Sequence, residues 1–173
     1  MKQKLVAIIA ASDSDLPVLS DAAKILEEFN VDYEITISSA HRSPERTIQL
    51  VNTFHQQGTK IIIASAGMAA HLAGSIAAHF PLPVIGIPLK TGALYGVDSL
   101  YATVQMPPGI PVATVAIDGA KNAGILAVQM LAISDKTLEK KLVTYKKSLA
   151  ETIEKKADKL SRSGLKVVLS QKK

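Results

Sequence analysis

Residues 60–74 have the sequence KIIIASAGMAAHLAG, and this stretch indicates the architecture of the whole chain. It opens with a short apolar, β-branched run, Lys60 to Ala64, whose length is typical of a buried strand. Small residues follow, and helical spacing begins at about Ala69 and continues to His79. A buried strand that leads through small residues into a helix is one unit of an alternating β-α chain.

The same unit recurs on both sides of this stretch. Further strand-length apolar runs lie at Leu5 to Ala10, Tyr33 to Ile37, Pro83 to Ile87 and Pro111 to Ile117. Helices are predicted from about Leu16, from Pro44, over Asp98 to Gln105, over Ala120 to Ile133 and over Lys136 to Ser161. Parallel strands need right-handed crossover connections, so helices cover both faces of the sheet. We therefore predict a three-layer α/β fold: a flavodoxin-like, doubly wound parallel sheet in the order 2-1-3-4-5, with an extra C-terminal helix.

The composition agrees with this architecture and limits the function classes. Of the 173 residues, 47% are hydrophobic but only 4% are aromatic, so the core must be aliphatic. One α/β domain is predicted over residues 1–134. The absence of cysteine excludes disulfides, thiolate zinc sites and cysteine nucleophiles. The apolar run near the N-terminus is too short for a membrane span or a secretion signal, so we expect a cytoplasmic protein.

Residues 135–173 differ from the body in charge, with 12 Lys/Arg and 5 Asp/Glu against 8 and 10 in residues 1–134. Because acidic residues interleave with the basic ones, a solvated helix face is favoured over a nucleic-acid surface. An apolar stripe that must be covered follows the same helix: Leu138, Leu142, Tyr145, Leu149, Ile153 and Leu160. This helical extension either folds back on its own domain or packs on a neighbouring subunit, and its position after the last sheet unit favours packing in an oligomer.

The loop after the first strand is the first candidate site, because a doubly wound sheet binds its ligand beyond the carboxyl ends of its strands. Ser12, Ser14 and Asp15 precede a helix start there, which suits a phosphate or ribose cradle. An ordinary helix cap by Ser14 or Asp15 explains the same residues, and this loop alone leaves both interpretations open. It lacks the glycines of a dinucleotide fingerprint or a P-loop.

The second strand ends in the motif Ser39-Ala-His-Arg-Ser-Pro44. Ser43 as N-cap and Pro44 at the first helical position explain the end of this motif structurally. They do not explain His41, which can exchange protons near neutral pH, or Arg42, whose guanidinium suits phosphate or carboxylate. A surface histidine beside a solvated arginine is the alternative from this segment alone.

The loop after the third strand supplies Gly67 and His71. Small residues there let the backbone approach a ligand closely, and His71 is expected in the first helical turn. Tight helix packing, with His71 hydrogen-bonded into the structure, is the alternative. The predicted strand order brings this loop to the same mouth as the other two, which favours one shared site around His41.

On these motifs the sequence resembles the PurE family in its class I, bacterial-type form. Its most specific elements are Ser-Ala-His-Arg at 39–42 and Gly-x-Ala-Ala-His-Leu at 67–72. The other matching segments are Ser12 with Ser14 and Asp15, Gly96 to Tyr101, Val104 to Pro107, Gly109 to Val112, and Asn122 with Ala123. The chain departs from the family where glycine or, at the last position, proline is usual: Ala11, Ser65, Met68 and Ala73.

The resemblance implies a mutase that converts N5-carboxyaminoimidazole ribonucleotide to 4-carboxy-5-aminoimidazole ribonucleotide in de novo purine biosynthesis. His41 would be its general acid and base. The ribose phosphate would be held by Ser12, Asp15, Ser39 and Arg42, and the migrating carboxylate surrounded by Gly67, Ala70, His71 and Leu72. No metal or organic cofactor is expected. The expected partners are the ribonucleotide and a homo-octamer, with neither nucleic acid nor membrane.

Two other functions remain open on the sequence. A related class carboxylates aminoimidazole ribonucleotide directly with carbon dioxide, although it typically has a different loop after the third strand. A non-catalytic nucleotide- or flavin-binding module would have the same fold. The three converging loops contain no aromatic residue on which a flavin would stack, which argues against that module.

Overall fold

The computed structural model describes residues 3–170. Residues 1–2 of the predicted domain and residues 171–173 of the predicted C-terminal extension lie outside the described residues. The strands are β1 Val6–Ala10, β2 Tyr33–Ile37, β3 Ile61–Gly67, β4 Val84–Leu89 and β5 Ala113–Thr114. The helices are α1 Leu16–Glu28, α2 Pro44–Gln56, α3 Leu72–Ala77, α4 Val97–Val104, α5 Ala120–Ala132 and α6 Lys136–Ser170. A 3-10 turn over Asp13–Asp15 joins β1 to α1. The chain forms two compact units, divided between Leu131 and Ala132.

The strands of the first unit form one parallel sheet in the order β2-β1-β3-β4-β5, which confirms the predicted fold class. β1 lies between β2 and β3, with Val6 opposite Tyr33 on one side and Ile61 on the other. The chain therefore leaves β1 and β3 in opposite directions. Their loops separate at the carboxyl ends of the strands, which is where a doubly wound sheet opens a crevice.

The core is aliphatic, as the composition predicts. Every residue of β1 and β4 is buried, and Phe54 of α2 joins Ile9 and Ile62 in one apolar cluster. Each fully buried isoleucine stabilises the fold by roughly 1.5–3 kcal/mol relative to an exposed one. Burial on both faces explains why these strands show continuous apolar runs rather than alternation. Strand β2, at the edge of the sheet, is more open, and its Ile35 and Ile37 are exposed.

The third β-α unit departs most from the sequence prediction. The predicted boundaries, a strand ending at Ala64 and a helix over Ala69 to His79, are wrong. β3 continues to Gly67 because that residue still pairs with Leu89 of β4. Met68 then adopts a left-handed φ of 52° and turns the chain, so α3 begins only at Leu72. The small residues after Ala64 thus end a strand rather than form a loop.

The last strand and the last helix also differ in length from their predictions. β5 covers Ala113–Thr114 rather than Pro111 to Ile117, because it pairs with β4 at two positions only. α6 extends to Ser170, beyond the predicted Ser161, with non-helical backbone at Gly164 (φ 74°, ψ 162°). Apolar side chains along it are exposed, among them Val143, Leu149, Ile153 and Leu160. Among residues 3–170, no helix combines the length and the apolar character that crossing a membrane requires.

Candidate active site

A crevice of about 410 Å³ opens at the carboxyl ends of β1, β2 and β3. Nearly all of the predicted site residues line it: Ser12, Asp15, Ser39, His41, Arg42, Gly67, His71 and Leu72. Ala70 is not in its lining, because this residue is buried and its N–H donates to the carbonyl oxygen of Met68. The three loops therefore meet at one place, whereas the role of each residue stays a prediction.

The loop after β1 is closed by the carboxylate of Asp15. The Ser12 N–H donates to Asp15 Oδ2 at 3.1 Å, and the Ser14 hydroxyl donates to Oδ1 at 3.3 Å. Asp15 occupies the N-cap position of α1, but its side chain makes no cap hydrogen bond to that helix. The helix-cap interpretation is thus correct for the position of Asp15 and wrong for its side chain.

The pKa values of the two carboxyl groups in this loop are shifted in opposite directions. Burial raises the pKa of Asp15, although hydrogen bonds from Ser12 and Ser14 partly oppose the rise. Asp13 is exposed, and the hydrogen bond from the Ser12 hydroxyl lowers its pKa, assisted by the Ser14 N–H and the charge of Arg42. The loop therefore presents a buried hydrogen-bonding carboxyl and, next to it, an exposed carboxylate.

Ser43 is the N-cap of α2 and Pro44 its first residue, as predicted. The Ser43 hydroxyl does not cap the helix, however. It donates to the carbonyl oxygen of Ser39 at 3.1 Å and accepts from the Ser39 N–H at 3.3 Å. These two bonds join Ser39 to Ser43, and so connect the two ends of the turn that contains Ala40, His41 and Arg42.

Arg42 connects the second loop to the first. Its N–H and its Nε donate to the hydroxyl oxygen of Ser39 at 3.2 and 3.4 Å. Its Nη2 donates to the carbonyl oxygen of Ala11 at 3.1 Å. The guanidinium is thereby held at the junction of two loops, in a position to donate its remaining N–H groups to an anion.

The imidazole rings of His41 and His71 stack, with centroids 5.1 Å apart and planes inclined by 26°. His71 immediately precedes α3 instead of lying in its first turn, so the prediction is wrong by this small shift. Both residues are exposed, and among the described residues neither ring makes a side-chain hydrogen bond. Two imidazole rings therefore lie at the mouth with nitrogens open to a ligand.

Met68 and Thr91 line the crevice although the sequence did not single them out as site residues. Thr91 Oγ1 accepts a hydrogen bond from the Met68 N–H at 3.1 Å. A Cβ on Gly67 would overlap the Thr91 side chain, which explains why glycine stands there. Met68 had one sequence signal, the replacement of a usual glycine, whereas Thr91 comes from another β-α unit and had none.

A second cavity, of about 420 Å³, adjoins the crevice and shares Ala11, Ser12, Ser39 and Arg42 with it. Arg46, in the first turn of α2, also lines this cavity. In the sequence, Arg46 follows Arg42 by four residues. The motif considered there ends at Pro44, so Arg46 was not among the predicted site residues.

A larger cavity, of about 580 Å³, lies elsewhere in the first unit, between residues 77–84 and 109–113. It is at the amino ends of β4 and β5, away from the mouth where the loops converge, and its lining is mostly apolar. Among the described residues, no group of three or more His, Asp or Glu side chains is placed to hold a metal ion. The polar crevice around His41 is therefore the candidate active site.

Fold and crevice together define a doubly wound α/β protein that presents histidine, arginine and hydroxyl groups to a small polar ligand at its switch point. The AIR carboxylase family matches residues 5–152, and the chain belongs to this family. This match confirms the resemblance to PurE.

Individual relatives agree with the family assignment. The chain is 52% identical to the N5-carboxyaminoimidazole ribonucleotide mutase of Thermotoga maritima, over 96% of this chain and 98% of that protein. It is 50% identical to the phosphoribosylaminoimidazole carboxylase of Schizosaccharomyces pombe, over 96% of this chain but 30% of the larger protein. The crystal structure of Treponema denticola PurE superposes with a TM-score of 0.82 at 27% identity, covering 92% of this chain and 98% of that one.

Proposed function

We propose that the chain is a mutase that converts N5-carboxyaminoimidazole ribonucleotide to 4-carboxy-5-aminoimidazole ribonucleotide in de novo purine biosynthesis. The observation that carries this conclusion is the identity of 52% with a mutase over nearly the full length of both proteins. The crevice supports it, because histidine, arginine and hydroxyl groups from three loops meet there. The non-catalytic flavin module has no comparable support.

The ribose phosphate is held, in this proposal, by Ser12, Asp15, Ser39 and Arg42. Arg42 contacts the phosphate, since its guanidinium is fixed at the junction of two loops and retains free donors. Asp15 contacts the ribose, because a buried carboxyl suits hydrogen bonding to neutral hydroxyl groups. The substrate is thereby oriented with its imidazole ring toward His41.

His41 transfers the proton in both halves of the reaction. The N–C bond of the carbamate breaks, carbon dioxide leaves, and the nitrogen receives a proton from the His41 imidazolium. The electron pair of imidazole carbon 4 then attacks the carbon dioxide. The C4–H proton returns to His41, so the enzyme ends as it began and the change is an isomerisation.

The loop after β3 holds the migrating carbon dioxide in this proposal. Gly67, His71 and Leu72 face the crevice, and Ala70 supports the loop from behind. Glycine is needed at position 67 of this wall, because a side chain there would overlap Thr91. Confinement at this wall keeps the carbon dioxide close to carbon 4, which raises the rate of recapture.

Assembly and location complete the proposal. The exposed apolar side chains of α6, including Leu149 and Ile153, support packing in a homo-octamer. The proposed reaction is a rearrangement without net oxidation or reduction, and we propose that it needs neither metal nor organic cofactor. Its place in purine biosynthesis favours the cytoplasm.

Direct carboxylation is the second candidate, because the carboxylase of Schizosaccharomyces pombe is also a relative. The two reactions are separated by supplying the purified protein with either the carbamate nucleotide or aminoimidazole ribonucleotide plus carbon dioxide. Formation of the carbon 4 carboxylate is monitored in both. The mutase is expected to form product much faster from the carbamate. Product from the second mixture alone would identify a carboxylase, and product from neither would overturn both functions.

A further inference from the structure

The cavity beside the crevice is bordered by two arginines. Arg46 lines it from the first turn of α2, and Arg42 forms the wall that it shares with the crevice. A ligand whose heterocycle lies near His41 can therefore extend past Arg42 into this second cavity. The group at its far end would lie between the two guanidinium groups.

Part of the donor set of Arg42 is already used within the protein. Its Nη2 donates to the carbonyl oxygen of Ala11, and its Nε donates to Ser39. The carboxylate of Asp13 lines the same cavity, and its pKa is lowered in part by the charge of Arg42. The Asp13 carboxylate also accepts from the Ser12 hydroxyl and the Ser14 N–H. Near neutral pH, Asp13 and Arg42 therefore contribute almost no net charge to this cavity.

Arg46 is not engaged in this way. It is exposed, and within residues 3–170 its side chain makes no hydrogen bond or ion pair. The amino end of α2 has no side-chain cap, so its backbone N–H groups also face this region, although Glu45 lies in the same first turn. Arg46 therefore lines this cavity with a guanidinium whose donors are free for a ligand.

A phosphate monoester carries a charge of about −1.5 to −2 near neutral pH. Arg42 and Asp13 together offset little of it, so the cavity needs another cation. We propose that Arg46 is the second phosphate-binding cation and determines the selectivity of this site for phosphorylated over unphosphorylated ribosides. This inference rests on the proposed function, since it places the phosphate of that substrate.

The test is the binding of ribose 5-phosphate, measured by calorimetry on the full chain. The variants are Arg46→Ala, Arg46→Lys and a control of equal charge change, Lys60→Ala. Lys60 is exposed and lies just before β3, at the amino end of the strand and away from the crevice. A charge-assisted hydrogen bond corresponds to a loss of about 10- to 100-fold in affinity. We expect this loss in Arg46→Ala, a smaller one in Arg46→Lys, and none in Lys60→Ala.

Steady-state kinetics give the second measurement. Arg46→Ala should raise the KM for the carbamate nucleotide by the same factor and change kcat by less than about threefold, since phosphate binding precedes the proton transfers. Unchanged affinity for ribose 5-phosphate in Arg46→Ala, or no binding of it by the parent protein, would overturn the inference. A parent that binds ribose 5-phosphate through Arg46 but shows no turnover would instead overturn the proposed function.

Discussion

The stacked rings of His41 and His71, with centroids 5.1 Å apart, connect the end of β2 to the start of α3. Among the described residues no side-chain hydrogen bond fixes either ring, so this stack is the ring contact that the His41 imidazole makes. The sheet order makes the contact possible, because β1 separates β2 from β3 and leaves the loops after β2 and β3 on the same mouth.

We predict that His71 acts as a positioning residue through this stack. His71→Ala should lower kcat about 10- to 100-fold, because the reacting proton is then less well aligned. His71→Phe retains an aromatic ring and should recover part of the loss. Steady-state kinetics on both variants check this prediction. Equal activity of the two variants would mean that ring stacking does not orient His41.

Asp15 and Asp13 are predicted to affect stability with opposite dependence on pH. Burial raises the pKa of Asp15, so its ionisation favours the unfolded chain, and stability falls as the pH rises through the raised value. Asp15→Asn cannot ionise. Its free energy of unfolding, relative to the parent, should therefore be higher at about pH 7 than at about pH 3.

Asp13→Asn is the matched control for this measurement. Hydrogen bonding lowers the pKa of Asp13, so its contribution is present above the ordinary value of 3.8 and is lost as the pH falls through the lowered value. Relative to the parent, Asp13→Asn should be less stable at about pH 7 than at about pH 3. Denaturant unfolding at both pH values gives the result, and the same sign of change in both variants would contradict these assignments.

Met68 is predicted to hold strained backbone at the mouth of the site. Its φ of 52° lies in the left-handed region, which costs a non-glycine residue roughly 1 kcal/mol. Met68→Gly should therefore raise the free energy of unfolding by up to about 1 kcal/mol. Ala69→Gly, at a neighbouring residue without a positive φ, should lower it by about 0.5–1 kcal/mol. A loss of stability in Met68→Gly equal to that in Ala69→Gly would show that no strain is stored there.

Helix α6 is predicted to be needed for assembly. Its exposed apolar side chains include Val143, Leu149, Ile153 and Leu160. Contact of such side chains with water is unfavourable, so we expect another protein surface to cover them. A chain ending at Ser134 should therefore form assemblies with fewer subunits than the full chain, as given by the mass in solution divided by the mass of one chain. Light scattering on both proteins measures this difference, and an intact octamer without α6 would refute the prediction.

The sequence predicted the sheet well because buried parallel strands are continuously apolar, as β1 and β4 show. It misplaced the end of β3 because Ala66 and Gly67 have the composition of a loop, while their pairing with β4 depends on tertiary structure. Periodicity carries no information about such pairing.

The candidate site was predictable where one segment concentrates unusual residues, as at His41 and Arg42. Thr91 was not predictable, because it reaches the crevice from the loop after β4. Its side chain fills the space that a Cβ on Gly67 would need, and the sequence gives no sign of this contact. Arg46 was not singled out either, because an arginine on an exposed helix face is ordinary until the cavity beside it is known. Contacts between separate β-α units account for both omissions.

The central claim, that His41 transfers the proton, is tested most directly by His41→Asn, with His79→Asn as a control at an exposed histidine away from the crevice. Turnover of N5-carboxyaminoimidazole ribonucleotide and affinity for the product are measured on both variants. We expect His41→Asn to lower kcat at least about 100-fold with product affinity nearly unchanged, and His79→Asn to behave as the parent. Turnover by His41→Asn at the parent rate would contradict the account.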